Sequence, residues 1–220
     1  MVDVWIGICI KHSGQGSDRM GFLWYNGSAG KVMMIGIVIA LNILSSMERD
    51  MNTALIVIDM QNDYLYEKRM KRFTYDTQGL VSRVNAIIHR HSEEGCDVIY
   101  VRHIIQNLPT NRLLFGYSIA GTEGAELYRG LDVASDSIFD KLLGDALSNR
   151  KLRQLIERRG CDALHLCGLD ACGCVAATAL GAAKRGYAVG ILREGVATVF
   201  DGRKVARTME KLRRAGVKIL

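Results

Sequence analysis

The chain has 220 residues, 49% of them hydrophobic, which is enough for one full core, and its single proline and 23 glycines exclude a low-complexity or disordered protein. The formal net charge is +6, and residues 151–220 hold 14 Lys and Arg against 6 Asp and Glu. Those basic residues fall opposite the apolar positions of the predicted helices, without interleaved aromatic residues. We therefore interpret them as a solvated face and expect no nucleic-acid partner.

The first 50 residues differ in character from the rest, with scattered Gly, Ser, Met and Trp before an apolar run over residues 32–44. That run has 13 residues, whereas a membrane span needs about 20, and a signal peptide does not begin about thirty residues into a chain. We expect no membrane partner and interpret residues 1–50 as an N-terminal extension outside the catalytic fold, which residues 51–220 form. Met47 or Met51 would then be a natural start, because a strand begins immediately afterwards.

A continuous apolar, β-branched run over residues 54–58 predicts a strand that is buried on both faces of a parallel sheet. Asp59 follows this run directly, and a carboxylate there is costly to desolvate unless another group pairs with it. Asp59 is therefore a candidate site residue, and an Asp that caps a turn is the alternative. The basic loop over residues 68–72 can attract an anionic substrate, although a solvated loop is the commoner case.

The remaining elements alternate between helix and strand. Apolar spacing predicts helices over 79–92, 149–159 and 203–215, a helix from Cys174 to about 184, and strands over 97–102, 137–141, 163–167, 187–192 and 217–220. Between 103 and 135 only one short helix, 123–128, is predicted, and so long a connection is typically a lid, a pocket wall or an oligomer contact. The alternation predicts an α/β fold with a parallel sheet, helices on both faces, and a site at the carboxyl ends of the strands.

Two further residues fall at such strand ends. Lys141 closes the strand over 137–141, where a lysine is ordinarily at the surface. Cys174 lies near the start of a helix, where the helix dipole favours a thiolate, and an inert buried cysteine is the alternative. In one crevice with Asp59 they suit acyl transfer, because Asp59 can take the thiol proton while Lys141 favours the thiolate. His103, also at a strand end, is better explained as a structural histidine than as a pocket residue.

The six cysteines show neither a paired disulfide framework nor the ligand spacing of a structural zinc site. We therefore expect reduced thiols and a cytoplasmic location. A redox exchange between Cys172 and Cys174 is an alternative function, although the two are too close in sequence for an easy mutual disulfide. The full set is Cys9, Cys96, Cys161, Cys167, Cys172 and Cys174.

Four segments, in order, resemble the isochorismatase-like cysteine hydrolases. They are ALIVIDMQNDY at 54–64, GTEGAEL at 121–127, the pair Asp140-Lys141, and CVAATA at 174–179 followed by Gly186 and Tyr187. The resemblance covers about residues 53–220 and leaves residues 1–50 without a counterpart. It implies a three-layer α/β/α sandwich with a six-stranded, mostly parallel sheet.

The same resemblance implies a catalytic triad of Asp59, Lys141 and Cys174. It also implies a cis peptide between Leu169 and Asp170, and an oxyanion hole formed by the backbone N–H groups of Asp170 and Cys174. In position 170 relatives more often carry a small or neutral residue, so an Asp170 side chain that faced the pocket would disfavour an anionic ligand.

The activity implied is hydrolysis of a C–N bond in a small amide, ureido or imide substrate through a thioester, without a cofactor. Nicotinamidases of this fold bind a metal through an Asp and two His near the second strand. Residues 101–106 lack an Asp-x-His pattern, so we predict no metal and argue against nicotinamide as substrate. Gln61 and Tyr64 are candidate pocket residues, with simple packing as the alternative, and we expect a homo-oligomer with its contact in residues 103–135.

Two other functions are compatible with the same residues. An isochorismatase proper would cleave a vinyl ether and release pyruvate, and some such enzymes lack the cysteine. A binding protein that has kept the fold without catalysis is the alternative from another class, and the intact set of Asp59, Lys141 and Cys174 argues against it.

Overall fold

The computed structural model describes residues 6–12, 19–25, 52–67 and 69–220. The apolar run over 32–44 and most of the predicted N-terminal extension lie outside the described residues.

The chain divides into two compact units, Met1–Asp50 and Met51–Leu220. In the first unit, β1 (Ile6–His12) and β2 (Arg19–Tyr25) pair in antiparallel direction and form a two-stranded sheet of their own.

The second unit alternates strands with helices along residues 52–220. Its elements are β3 (Thr53–Ile58), α1 (Asn62–Leu65), α2 (Thr77–Glu93), β4 (Asp97–His103), α3 (Pro109–Leu114), β5 (Ile138–Lys141), α4 (Arg150–Arg159), β6 (Ala163–Gly168), α5 (Cys174–Lys184), β7 (Ala188–Val196), α6 (Gly202–Arg214) and β8 (Lys218–Ile219). Two short 3₁₀ turns, Glu123–Ala125 and Ala146–Ser148, interrupt the connections around β5.

The six strands β3 to β8 form one sheet in the order β5-β4-β3-β6-β7-β8, and every pair in it is parallel. From β3 the chain first builds outward through β4 to β5, and then returns to place β6 on the other side of β3. The strand order therefore reverses between β3 and β6. In doubly wound folds, this is the point at which a crevice opens beyond the carboxyl ends of the strands.

The central strand β3 explains why the sheet is covered on both faces. Its residues 54 to 58 are all fully buried, and alternate side chains enter two separate cores. Ile56 packs in the core that includes residues of α4, α5 and α6, whereas Leu55 and Val57 pack in the core that includes residues of α2. This confirms the predicted three-layer α/β/α sandwich with a six-stranded parallel sheet.

The long connection between β4 and β5 departs from its prediction. The expected helix at 123–128 is a single 3₁₀ turn, Glu123–Ala125. An unpredicted helix, α3, precedes it, and none of its residues is buried, so it has no apolar stripe of the kind that reveals a packed helix. Among the helices that the structure describes, none is both long and apolar enough to cross a bilayer.

Candidate active site

The site lies at the carboxyl ends of β3, β5 and β6, where the structure brings together the three predicted residues. Lys141 Nζ donates hydrogen bonds to Asp59 Oδ2 at 2.9 Å and to Cys174 Sγ at 3.1 Å. Asp59 and Lys141 are 3% and 2% exposed, so this ion pair is shielded from water. The three side chains thus form one connected polar cluster beneath a surface pocket.

Lys141 is buried, whereas a lysine at a strand end ordinarily lies at the surface. Burial acts to lower its pKa, but the charges of Asp59 and Cys174 outweigh that effect and raise the pKa above the usual range. The ammonium therefore remains charged inside the protein, and its two hydrogen bonds fix the positions of both partners.

Asp59 combines an unusual backbone conformation with a free carboxylate oxygen. Its φ angle is 53°, in the left-handed region that residues other than glycine seldom adopt. The backbone N–H of Asp59 donates to the carbonyl of Val101 at 2.8 Å, which holds the residue at the end of β3. While Oδ2 binds Lys141, Oδ1 is buried and has no hydrogen-bond partner among the described residues. That oxygen is available to accept a proton.

Cys174 is the first residue of α5, as predicted, but its thiol is not acidic. Burial and the neighbouring Asp59 carboxylate raise the pKa of Cys174 to about 12, although Lys141 acts in the opposite direction. The expectation of a resting thiolate is therefore corrected, because burial and the Asp59 charge oppose ionisation of the thiol more than Lys141 favours it. The thiol must give up its proton as it reacts.

Two backbone N–H groups next to the sulfur are unused. Those of Asp170 and Cys174 donate to no residue in the described part of the chain, whereas Gly173 and Val175 both donate to the Asp170 carbonyl. The N-cap of α5, Gly173, offers no side chain to the helix terminus, and the peptide bond between Leu169 and Asp170 is cis. The two predicted oxyanion-hole groups are thus free to bind an oxygen atom.

The side chain of Asp170 lines the pocket, but three protein groups satisfy it. Oδ1 accepts from Cys172 N and Thr198 Oγ1, and Oδ2 accepts from Val199 N, each at 2.8 Å. These neutral donors stabilise the charged carboxylate, so Asp170 keeps its negative charge in the pocket wall and opposes an anionic group placed beside it. The carboxylate also ties the loop after β7 to the loop that holds Cys174.

Above the cluster lies a pocket of about 360 Å³. Its walls are largely aromatic, and only a few polar groups point into it, as is typical of small-molecule sites. Besides Asp59, Cys174 and Asp170, the lining residues are Tyr64, Arg72, Phe73, Tyr75, His103, Tyr117, Leu169, Gly173, Val199 and Phe200.

Of the two candidate pocket residues, only Tyr64 reaches the wall. Its hydroxyl accepts from Ser118 Oγ at 2.8 Å, and burial raises the pKa of the phenol, which stays protonated. Gln61 is fully buried beneath the pocket and does not line it. Its amide donates to the carbonyls of His103 and Ala125, so its role is to join β3 to the segments beside it.

His103 lies in the pocket wall, contrary to its interpretation as a purely structural residue. Its Nδ1 is 3.4 Å from the Tyr64 hydroxyl. Burial and the nearby charge of Lys141 lower the pKa of His103, so the imidazole is neutral near pH 7.

The aromatic wall is the part of the site that the sequence analysis missed. Phe73, Tyr75, Tyr117 and Phe200 come from three irregular segments, which precede α2, follow α3 and precede α6. Their aromatic character within loops was the available signal, but no periodicity links them to a common surface. Arg72, in the basic loop considered for anion attraction, joins this wall.

Among the described residues, no three His, Cys, Asp or Glu side chains lie together as the ligands of a metal ion would. The donor set of this part of the chain therefore does not fit the metal site of the nicotinamidases.

Known proteins similar to this chain share the unit that holds the site. The model of the isochorismatase domain family matches residues 53–220. An uncharacterized isochorismatase family protein of Bacillus subtilis is 25% identical over 149 residues, covering 67% of this chain and 79% of that protein. A protein of Arabidopsis thaliana, described as a probable inactive nicotinamidase, is 28% identical over 156 residues, covering 64% of this chain and 77% of the relative.

A solved structure shows the same architecture. The pyrazinamidase of Pyrococcus horikoshii, in complex with zinc, has a TM-score of 0.65 and 25% identity, covering 77% of this chain and 98% of that one. The sequence motifs, the sheet order and the family match all fall in the same part of the chain. This chain therefore belongs to the isochorismatase family.

Proposed function

We propose that this protein is a cysteine hydrolase that cleaves a C–N bond in a small amide, ureido or imide substrate through a thioester intermediate. The observation that carries the proposal is the Lys141 ammonium, which hydrogen-bonds both Asp59 and the sulfur of Cys174 at the base of the pocket. A nucleophile, a proton acceptor and a cation within such reach are the groups that acyl transfer requires.

In the first half-reaction, the sulfur of Cys174 attacks the carbonyl carbon while Asp59 accepts the thiol proton. Oδ1 of Asp59 is available for that proton, and the charged Lys141 compensates the carboxylate before the transfer. Because the pKa of the resting thiol is high, proton transfer accompanies the attack. The developing oxyanion then accepts from the N–H groups of Asp170 and Cys174, each worth roughly 3 kcal/mol.

The first half-reaction ends when Asp59 passes this proton to the departing nitrogen, so that ammonia or an amine leaves and the acyl group stays on sulfur. In the second half-reaction, a water molecule gives a proton to Asp59 and attacks the thioester carbon. The acid leaves, the sulfur regains a proton, and the site returns to its starting state.

Two other facts bear on the proposal. The similar Pyrococcus protein is a pyrazinamidase, which supports amide chemistry, whereas the Arabidopsis relative is described as probably inactive, so turnover must be measured directly. A reaction through a free thiol also favours a reducing compartment, and we propose a cytoplasmic location.

The deciding experiment measures ammonia release from a panel of small amides, ureides and cyclic imides. We expect Cys174→Ala and Asp59→Asn each to lower kcat/KM at least about 100-fold, given the typical contributions of a nucleophile and a general base. Cys172→Ala is the control, because Cys172 is buried, lies two residues away and does not line the pocket. Loss of turnover in Cys172→Ala with retention in Cys174→Ala would refute the assignment of the nucleophile.

Two further arms separate the alternatives. Release of pyruvate from isochorismate, without ammonia from any amide, would favour the vinyl-ether reaction. Absence of turnover with every compound would favour a binding protein. We also propose that residues 1–50 add nothing to catalysis, and a chain of residues 51–220 that folds but is inactive would contradict this.

A further inference from the structure

We propose that the substrate carries a carboxylate and that Arg72 binds it. The inference deepens the proposed function and rests on it, because it places the scissile carbonyl at Cys174 and the carboxylate at Arg72, in the wall of the same pocket. The substrate class is then an N-acyl or N-carbamoyl amino acid, or a closely related small amide acid.

Arg72 belongs to the pocket wall and is held there by two aromatic rings. Its guanidinium carbon lies 4.6 Å from the ring centroid of Tyr117 and 5.1 Å from that of Phe73. Both rings line the same pocket. Stacking of this kind stabilises the cation through the ring faces and leaves the N–H donors at the edge of the guanidinium for another partner.

Those donors have no protein partner in the described part of the chain, where the Arg72 side chain forms no hydrogen bond and no ion pair. Arg69, three residues earlier, is the contrast, because its guanidinium donates to the carbonyls of Tyr66, Phe73 and Tyr75. Arg69 therefore builds the loop, whereas the charge of Arg72 is left unmatched.

The other charged side chains of the pocket already have partners in the protein. Asp59 is paired with Lys141 at 2.9 Å, and the Asp170 carboxylate accepts three hydrogen bonds. His103 is the remaining basic side chain of the lining, and it is neutral because burial lowers its pKa. Arg72 is exposed, and among the charged side chains of the described lining it is the one whose donors meet no protein group, so an anionic part of the ligand can bind them.

Size and charge together favour a carboxylate over a phosphate. A single planar guanidinium matches a carboxylate through two parallel hydrogen bonds, whereas phosphate sites usually combine several donors. A doubly charged group would also be repelled more strongly than a carboxylate by Asp170, which keeps its negative charge. A pocket of about 360 Å³ with aromatic walls is at the small end for ligand sites and suits an amino-acid-sized molecule.

The test compares ammonia release from the ureido group of N-carbamoylglycine and of its neutral N-methylcarboxamide, whose own amide bond would release methylamine instead of ammonia. For the native protein, we expect kcat/KM to be about 10 to 100 times higher for the acid, as for one charge-assisted pair. Arg72→Gln should lower this ratio to near one, mainly through KM for the acid. Arg72→Lys, which keeps the charge but loses the fork, should give an intermediate ratio.

Arg129→Gln is the matched control. Arg129 is also exposed and stacked on a tyrosine, with its guanidinium carbon 5.4 Å from the Tyr66 ring centroid, but it lies outside the pocket. The substitution removes the same charge and the same kind of stacking, so it should leave the acid-to-amide ratio unchanged. An equal fall in Arg72→Gln and Arg129→Gln would assign the effect to net charge and overturn the proposal.

A binding measurement separates this inference from the proposed function. Isothermal titration of the Cys174→Ala protein with the same two compounds requires no turnover. Tighter binding of the acid, abolished by adding Arg72→Gln, supports the Arg72 site even if the native protein hydrolyses neither compound. Equal binding of acid and carboxamide, together with ammonia release from neutral amides, would overturn the inference and leave the hydrolase function standing.

Discussion

At the scale of single residues, the site depends on one ammonium that serves two partners. Lys141 neutralises Asp59 and positions Cys174, and burial makes each of these contacts stronger than it would be in water. The cost is that no member of the cluster can be removed without leaving a buried charge or a buried polar group behind.

Replacing Lys141 tests this dependence directly. Lys141→Met keeps the length of the side chain but leaves the Asp59 carboxylate buried and unpaired, so we expect the free energy of unfolding to fall by about 3–5 kcal/mol. The double variant Asp59→Asn with Lys141→Met removes both charges and should recover much of the loss. Urea unfolding followed by circular dichroism measures both values. A double variant no more stable than Lys141→Met would contradict this account of the ion pair.

At the scale of elements, the site requires the end of β6 to lie against the end of β3. Gly168 provides this contact, because its φ angle is 105° and an added Cβ would lie 2.1 Å from the carbonyl oxygen of Ile58. A side chain at this position would therefore push apart the two strands that carry Asp59 and the loop to Cys174.

We expect Gly168→Ala to lower the free energy of unfolding by more than about 3 kcal/mol, because a backbone clash adds to the cost of positive φ. Gly95→Ala is the matched control. Its φ angle is 77°, but an added Cβ would meet nothing within 4 Å, so it should cost only about 1–2 kcal/mol. Equal losses in the two variants, measured by urea unfolding, would show that the contact between β3 and β6 is not tight.

A second contact between elements, that of α2 with β6, is sensitive to pH. His91 Nε2 lies 2.9 Å from His165 Nδ1, and burial and the neighbouring His91 lower the pKa of His165. The nearby Glu94 acts to raise this pKa, and Arg90 to lower it. The folded protein therefore binds a proton at His165 less readily than the unfolded chain, whose histidines titrate near about 6.5.

The sign of the effect follows from linkage. The contribution of His165 to stability is fully present above about pH 6.5 and is lost as the pH falls through the lower pKa of the folded state. Urea unfolding at a series of pH values should show this fall. His165→Gln should flatten this fall in stability. His89→Gln, which replaces an exposed histidine of α2, the helix that carries His91, should leave the fall unchanged. An unchanged pH profile in His165→Gln would exclude the pair as its source.

The sequence predicts an element when the burial or the chemistry of its residues leaves a local pattern. The run at 54–58 was predictable because burial on both faces makes it continuously apolar, and the stripe of α2 because burial of one face imposes a period of 3.6 on the side chains. Asp59 and Cys174 were found because chemistry at strand and helix ends carries a local signal. The aromatic wall, including Tyr117 and Phe200, was not found, because long-range folding of irregular loops brings it together and no local spacing encodes it.

At the scale of the whole molecule, some apolar side chains of the second unit stay exposed. Leu113 and Leu114, both on α3, are 88% and 74% exposed, and no residue of this helix is buried. The helix lies in the segment between β4 and β5, where a contact between copies was expected from the length of the connection. We propose that α3 packs against a second copy of this chain in a homo-oligomer, because cyclic self-association is the commonest way to bury such a surface.

Light scattering coupled to size-exclusion chromatography should then give a native mass that is a multiple of 24.4 kDa. Leu113→Glu with Leu114→Glu should shift the species toward the monomer, because a contact of this kind cannot bury two carboxylates without pairing them. Val133→Glu alters a single exposed apolar residue of the same connection outside α3 and should leave the mass unchanged. A native protein that is monomeric at micromolar concentration would refute the proposal, and equal dissociation by Val133→Glu would place the contact elsewhere in the connection.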